Sequence, residues 1–111
     1  MDKLDRYRDA IERILTEYAQ IRYSYGNLEN RLLFDRERDQ YAIISLGWNE
    51  KHREHGVVAH LEIKDGKVWI QEDNTESGVA TDLEPAGIPK EDIVLGFRHP
   101  QLRPYTEYAV R

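Results

Sequence analysis

Apolar residues in the first part of the chain recur at alternating spacings of three and four: Leu4, Tyr7, Ile11, Ile14, Tyr18 and Ile21, with Leu15 widening the stripe. This is the period of a helix with one apolar face, and it predicts a long helix over residues 2–23. Asp2/Arg6 and Asp9/Arg13 are favourable i,i+4 pairs on the opposite side. Gly26 supplies the stop and Asn27 helps the turn. Such a stripe can zip two copies together or cover a sheet; a lone helix of about 20 residues needs tertiary support, which favours the sheet.

After Gly26 the period becomes two. Leu28, Leu32 and Phe34 share one side of a first strand, and residues 35–39 form a charged connection. Residues 41–48 (YAIISLGW) are nearly all apolar, which predicts a central strand covered on both faces. Residues 49–54 read as a polar loop, and residues 55–63 alternate again, with Val57, Ala59, Leu61 and Ile63 on one face. Asp65-Gly66 between two strand patterns predicts a type I′ hairpin, because both central residues of that turn need positive φ. The two-residue loop sets the register. It pairs Ile63 with Val68, Glu62 with Trp69, Leu61 with Ile70 and His60 with Gln71, so His60, Glu62, Trp69 and Gln71 share the less apolar face.

Asp73, Asn74, Thr75 and Glu76 then read as a turn feeding a helix, with Asp73 and Glu76 at capping-box spacing. A short helix is predicted over residues 77–86, ending at Gly87, and another over residues 90–93 after Pro89. Residues 94–97 are a short apolar segment, and the tail from Arg98 is a final strand or an extended arm. The fold class is α+β: a long N-terminal helix on a four-stranded antiparallel meander, then one or two short helices and a C-terminal strand or arm.

At 111 residues, with 40% hydrophobic and 33% charged positions, the chain is expected to form one globular domain over residues 1–111. The absence of cysteine excludes disulfides, thiolate metal sites and a Cys nucleophile. A charged N-terminus and no apolar run of membrane-spanning length lead us to expect a soluble, cytoplasmic protein without membrane contact. The net charge of −5 argues against direct nucleic-acid binding by the chain alone. Residues 72–92, with seven acids and one base, hold the whole acidic excess. Such a run is a solvated surface or a docking face for a basic partner.

Candidate chemistry is sparse. His52 and His55 sit beside Lys51 and Arg53 with no third ligand at a supporting spacing, and His60 reads as a hydrogen-bonded strand residue. Glu62, Asp73 and Glu76 could gather around Mg²⁺ as in a nuclease, although the register and the capping role account for them otherwise. Ser24, Ser45 and Ser77 lack a nucleophile-elbow context, and there is no phosphate-binding glycine-rich loop. The basic cluster Arg22, Arg31, Arg36 and Arg38 is interleaved with acids. No catalytic, cofactor or metal residue is assigned. The candidate partner-binding residues are His60, Glu62, Trp69, Gln71, Asp73, Thr75 and Glu76.

Four blocks, DRYRDAIERILTEYA, YGNLENRLLFDRERDQYAIISLGW, GVVAHLEIKDGKVWIQEDNTESGVATDL and GIPKEDIVLGFRHPQLRPYTEYAV, run through nearly the whole chain in order. In these the chain resembles the XisI family, named for the controlling factor of fdxN-element excision in heterocyst-forming cyanobacteria. The IKDGKVWIQ block, the D-x-T-E-x-G turn and GIPKEDIVLGF are the specific parts of the likeness. Asn74 stands where the family's turn is expected to carry Gly, a replacement that tolerates a left-handed backbone, and His55 stands where an aromatic is expected. The resemblance implies a non-catalytic accessory to programmed DNA excision. Its expected partners are a site-specific recombinase and/or a XisH-type, endonuclease-like protein. Independently of the resemblance, the heptad-like stripe and the mixed sheet face around Trp69 each offer a surface to pair, so a homodimer or higher oligomer is expected. Two alternatives stay open: an antidote-like inhibitor of a nuclease-like partner, and the metal-dependent nuclease of Glu62, Asp73 and Glu76.

Overall fold

The computed structural model describes residues 2–21 and 27–111. Helix α1 (Lys3–Ala19) opens on Asp2, whose side chain accepts the Asp5 N–H at 2.9 Å. It buries Tyr7, Ala10, Ile11, Ile14 and Leu15, so the apolar stripe covers a sheet rather than a second helix. The helix ends at Ala19, short of the predicted limit at residue 23. Asn30 closes its end, with Nδ2 donating to the last helical carbonyl, Ala19 O, at 3.3 Å and to Ile21 O just beyond the helix at 3.2 Å. The predicted stop at Gly26, together with Arg22, Tyr23 and Ser24, lies outside the described residues.

Strands β1 (Asn27–Asp35), β2 (Gln40–Asn49), β3 (His52–Lys64) and β4 (Lys67–Asp73) form the expected antiparallel meander. A fifth strand corrects the four-stranded prediction. β5 (Ile93–Leu95), part of the short apolar segment, pairs parallel to β4 and closes the order β1-β2-β3-β4-β5. Three residues are too few to show a strand period in sequence. The polar loop predicted over residues 49–54 shrinks to Glu50 and Lys51, with Glu50 at a φ of 59°, and β3 takes up the rest.

Asp65 (φ 53°) and Gly66 (φ 77°) make the type I′ turn the sequence predicts, and the pairings Ile63–Val68, Glu62–Trp69 and Leu61–Ile70 follow. The fourth predicted pair fails. A β-bulge inserts Gln71 as an unpaired residue, so His60 faces Glu72. A second bulge leaves Val58 unpaired between Ile43–Ala59 and Ile44–Val57, and Val58 packs on the core. Asn74 serves this irregular stretch: its N–H donates to Val58 O at 2.8 Å and its Nδ2 to Val57 O at 2.9 Å. Its backbone is not left-handed, contrary to the turn role read from sequence. The side-chain amide of Asn74 is used here as a hydrogen-bond donor, a role Gly cannot fill.

The crossover to β5 carries α2 (Ala80–Leu83), one turn in place of the helix predicted over residues 77–86, because Gly78 at φ 84° breaks the path before it. A 3₁₀ turn (Lys90–Asp92) follows Pro89. The tail holds a second 3₁₀ turn (Arg103–Tyr105) and ends as an arm that touches β5 by one parallel bridge, Val94–Ala109, with Ala109 N–H donating to Ile93 O at 2.9 Å.

Val79, Leu83 and Ile88 of the crossover join Ile11, Leu15, Tyr41, Ile43, Leu61, Val68 and Ile70 in one core on the α1 side of the sheet. Tyrosines rim this core and tie its parts together. Tyr7 donates to Asp92 at 2.5 Å, Tyr18 to Asp82, Tyr41 to Asp39 at 3.1 Å and Tyr108 to Glu84 at 2.9 Å. Arg8 adds a two-pronged contact with Asp39 at 2.7 and 3.1 Å.

These ties fix a pH response. The Arg8 guanidinium, helped by the Tyr41 hydroxyl, holds Asp39 below the usual carboxylate range. Burial pushes Asp92 upward, but the Tyr7 hydroxyl and Lys3 outweigh it and leave its carboxyl low. Burial first, then the hydrogen-bonded carboxylate, raises Tyr7, Tyr18, Tyr41 and Tyr108, the last to about 12. The carboxylates therefore contribute stability above about pH 4 that is lost as the pH falls below it, and the tyrosines contribute stability below about pH 10 that is lost as the pH rises above it. Urea unfolding followed by circular dichroism is expected to show a plateau between these limits and a fall on either side. Arg8→Met is expected to lower the plateau and flatten the acid limb, because Asp39 relaxes toward its ordinary value.

Candidate interaction face

The register that places Tyr41, Ile43, Ala59, Leu61, Val68 and Ile70 against α1 turns the alternate residues to the other side of the sheet. There Leu33 (57% exposed), Trp48 (50% exposed) and the half-buried Ala42, Ile44, Leu46 and Val57 form an apolar strip, bordered by Glu29 and Arg31 of β1 and His55 of β3. This corrects the prediction that β2 is covered on both faces. Both α1 and the crossover lie on one side, and among the described residues nothing covers β2 on the other. Arg53, opposite Trp48 in the register, lies 5.2 Å from the indole centroid.

Next to this surface the hairpin brings three of the predicted residues together. His60, Glu62 and Trp69 share the face, joined by Gln40: His60 Nε2 meets Gln40 Oε1 at 2.8 Å, and Gln40 Nε2 donates to Glu62 at 3.1 Å. With the amide nitrogen of Gln40 spent on Glu62, its oxygen must accept, so His60 carries its proton on Nε2. Two cations lie against the Trp69 ring, Lys64 at 4.6 Å and Arg103 at 5.3 Å from its centroid. Arg103 is held there by the carbonyls of Arg98 (3.0 Å) and Gly96 (3.3 Å).

The remaining predicted residues do not join them. The bulge takes Gln71 out of the His60 pair, and its amide lies so close to Gly96 that a Cβ there would come within 2.7 Å of Gln71 Oε1. Asp73 and Thr75 are spent on the turn. Asp73 Oδ1 accepts from Thr75 N–H (3.0 Å) and Thr75 Oγ1–H (2.6 Å), Asp73 Oδ2 accepts from Val79 N–H (2.8 Å), and Thr75 Oγ1 accepts from Gly78 N–H (3.1 Å). Asp73 thus caps at six residues' distance, not in the predicted box with Glu76, which is exposed. Among the described residues no three His, Asp or Glu side chains are grouped to hold a metal ion, so Glu62, Asp73 and Glu76 do not converge.

Sequence reasoning missed Gln40 and Arg103. A two-residue reading of the Glu50–Lys51 turn sets the β2–β3 register only as far as Ile44–Val57; the bulge at Val58 then shifts it by one residue and brings Gln40 opposite Glu62 instead of Leu61. Lys64 was legible in the hairpin, one residue from the turn. Arg103 comes from the tail and leaves no local signal.

The description "XisI protein" matches residues 1–110. The chain belongs to the XisI family. It is similar to the crystal structure of fdxN element excision controlling factor XisI from Anabaena variabilis, at 40% identity over 99% of this chain and 100% of that one, with a TM-score of 0.84. It is also similar to the structure of a XisI-like protein from the same organism, at 39% identity over 98% and 100% of the two chains, with a TM-score of 0.90. No functionally curated protein matches it significantly. No helix among the described residues is long and apolar enough to cross a membrane.

In this XisI-family chain the Asp73 turn is a structural clasp. Asp73→Ala removes three hydrogen bonds to one partly buried carboxylate and is expected to cost about 2–3 kcal/mol, with Asp73→Asn losing less. Urea titration of the two variants checks this; a stability equal to wild type would contradict the clasp.

Proposed function

We propose that this chain is a controlling factor that acts by binding a DNA-acting protein through the open face of its sheet and carries out no covalent chemistry itself. The observation that carries the reading is the combination on one face of exposed Leu33 and Trp48, the half-buried Ile44 and Leu46 between them, and tryptophans that carry cations on their rings. An apolar centre with Trp and Arg at its margins is the composition of a protein-binding surface. Membership of the XisI family, and the likeness to an excision controlling factor, support placing that surface in the control of site-specific DNA excision. The partner is then a XisH-type, endonuclease-like protein or the recombinase, met in the cytoplasm. The polar groups nearby are engaged with one another (His60 and Glu62 through Gln40, Asp73 in its turn), which supports a binding role over the nuclease reading. An inhibitor and an activator would use the same face.

The test is co-purification of the tagged chain with the XisH-type protein and, separately, with the recombinase, followed by DNA cleavage by the partner with and without it. One partner is expected to be retained by wild type and weakened at least ten-fold by Trp48→Glu, as for an exposed aromatic anchor of an interface. The sign of the change in cleavage separates activation from neutralisation. Retention by neither partner, retention indifferent to Trp48→Glu, or Mg²⁺-dependent cleavage by the chain alone that Glu62→Ala abolishes would each overturn the proposal.

A further inference from the structure

The two edges of the sheet are treated differently. At β5 the tail lies alongside, with the Val94–Ala109 bridge and the Ala109 N–H donating to Ile93 O. At the other end β1 pairs with β2 alone, leaving a nine-residue edge without a partner among the described residues. An open edge of this length is a template for another strand. Its sequence specifies which. In an antiparallel pairing of β1 with a second β1 about a two-fold axis at Asn30, Glu29 faces the partner's Arg31, Arg31 faces the partner's Glu29, and Leu28 faces the partner's Leu32.

The side chains suit that register. Glu29 and Arg31 lie on one face, 60% and 58% exposed, and already pair within the strand; across the axis the four charges would alternate in sign. Leu32, exposed on the α1 side, would gain Leu28 of the second copy. Charges that merely guard an edge need only one sign, most often Lys. Here both signs occur, spaced so that a two-fold brings opposites together. We infer that β1 pairs with β1 of a second copy in the register centred on Asn30, making a homodimer with one continuous ten-stranded sheet. The pairing leaves the open face of each sheet free, so it stands apart from the partner-binding proposal.

Sedimentation velocity on the full chain tests it. Wild type is expected at twice the 13.1 kDa of one chain. Glu29→Arg and Arg31→Glu each set like charges opposite one another twice across the axis, and each is expected to weaken dimerisation by about ten-fold or more. The double swap Glu29→Arg with Arg31→Glu restores opposite pairs and is expected to recover the dimer. Both positions are exposed, and circular dichroism checks that the variants are folded. A wild type that stays monomeric to about 100 µM, single reversals that dimerise as wild type does, or a double swap that fails to recover would each overturn the inference.

Discussion

Apolar burial in this chain is concentrated on one side of the sheet; on the other side only the β4–β5 end is covered, where Val94 is buried beside the half-buried Trp69. Helix α1 sets Tyr7, Ile11, Ile14 and Leu15 on the face that also receives Val79, Leu83 and Ile88 from the crossover, and their shared core includes Tyr41, Ile43, Leu61 and Ile70. Along β2 a residue on that face, Tyr41 or Ile43, loses its water, while its neighbour in sequence, pointing the other way, keeps part of it. The chain nevertheless places Ile44, Leu46 and Trp48 on the uncovered side. An antiparallel sheet can leave one face to solvent, but that face is then ordinarily polar. The apolar character of this one is what links the fold to a binding role.

The one-sided core also explains the ring of tyrosine–carboxylate contacts. α1 meets the crossover and the 3₁₀ turn at the margin of the core, where side chains are partly buried and must keep a hydrogen-bond partner. Tyr7, Tyr18 and Tyr108 place their rings toward the apolar interior and their hydroxyls on Asp92, Asp82 and Glu84. Each of these three acids belongs to the strongly acidic stretch of residues 72–92, so part of that charge is consumed in holding the crossover against α1 and the tail. Glu72, Glu76 and Glu91 remain exposed.

What the sequence made legible follows the range of the interactions involved. The stripe from Leu4 to Leu15 and the Asp65-Gly66 turn are local, and they yielded α1 and the hairpin down to the Leu61–Ile70 pair. That hairpin was enough to put His60, Glu62 and Trp69 on one face. The bulges at Val58 and Gln71 were not legible, because they depend on Asn74 reaching back to the Val57 and Val58 carbonyls from a separate turn. The end of α1 was missed for a similar reason: Asn30, eleven residues beyond Ala19, closes it. β5 is too short to announce itself, and its partner β4 lies across an intervening helix. At the site, Gln40 and Arg103 are brought in by pairing and by the tail, so no local pattern could name them.

Both tryptophans of the chain lie on the side of the sheet away from α1, Trp48 exposed and Trp69 half-buried against Lys64 and Arg103, so Trp48 is the one whose emission reports on the open surface. Iodide quenching of tryptophan fluorescence, measured on the free chain and on the complex with its partner, therefore addresses the binding role most directly, with Trp48→Phe and Trp69→Phe separating the two signals. The account predicts a Trp48 open to quencher in the free chain and shielded, with blue-shifted emission, in the complex. Equal quenching in the two states would contradict it.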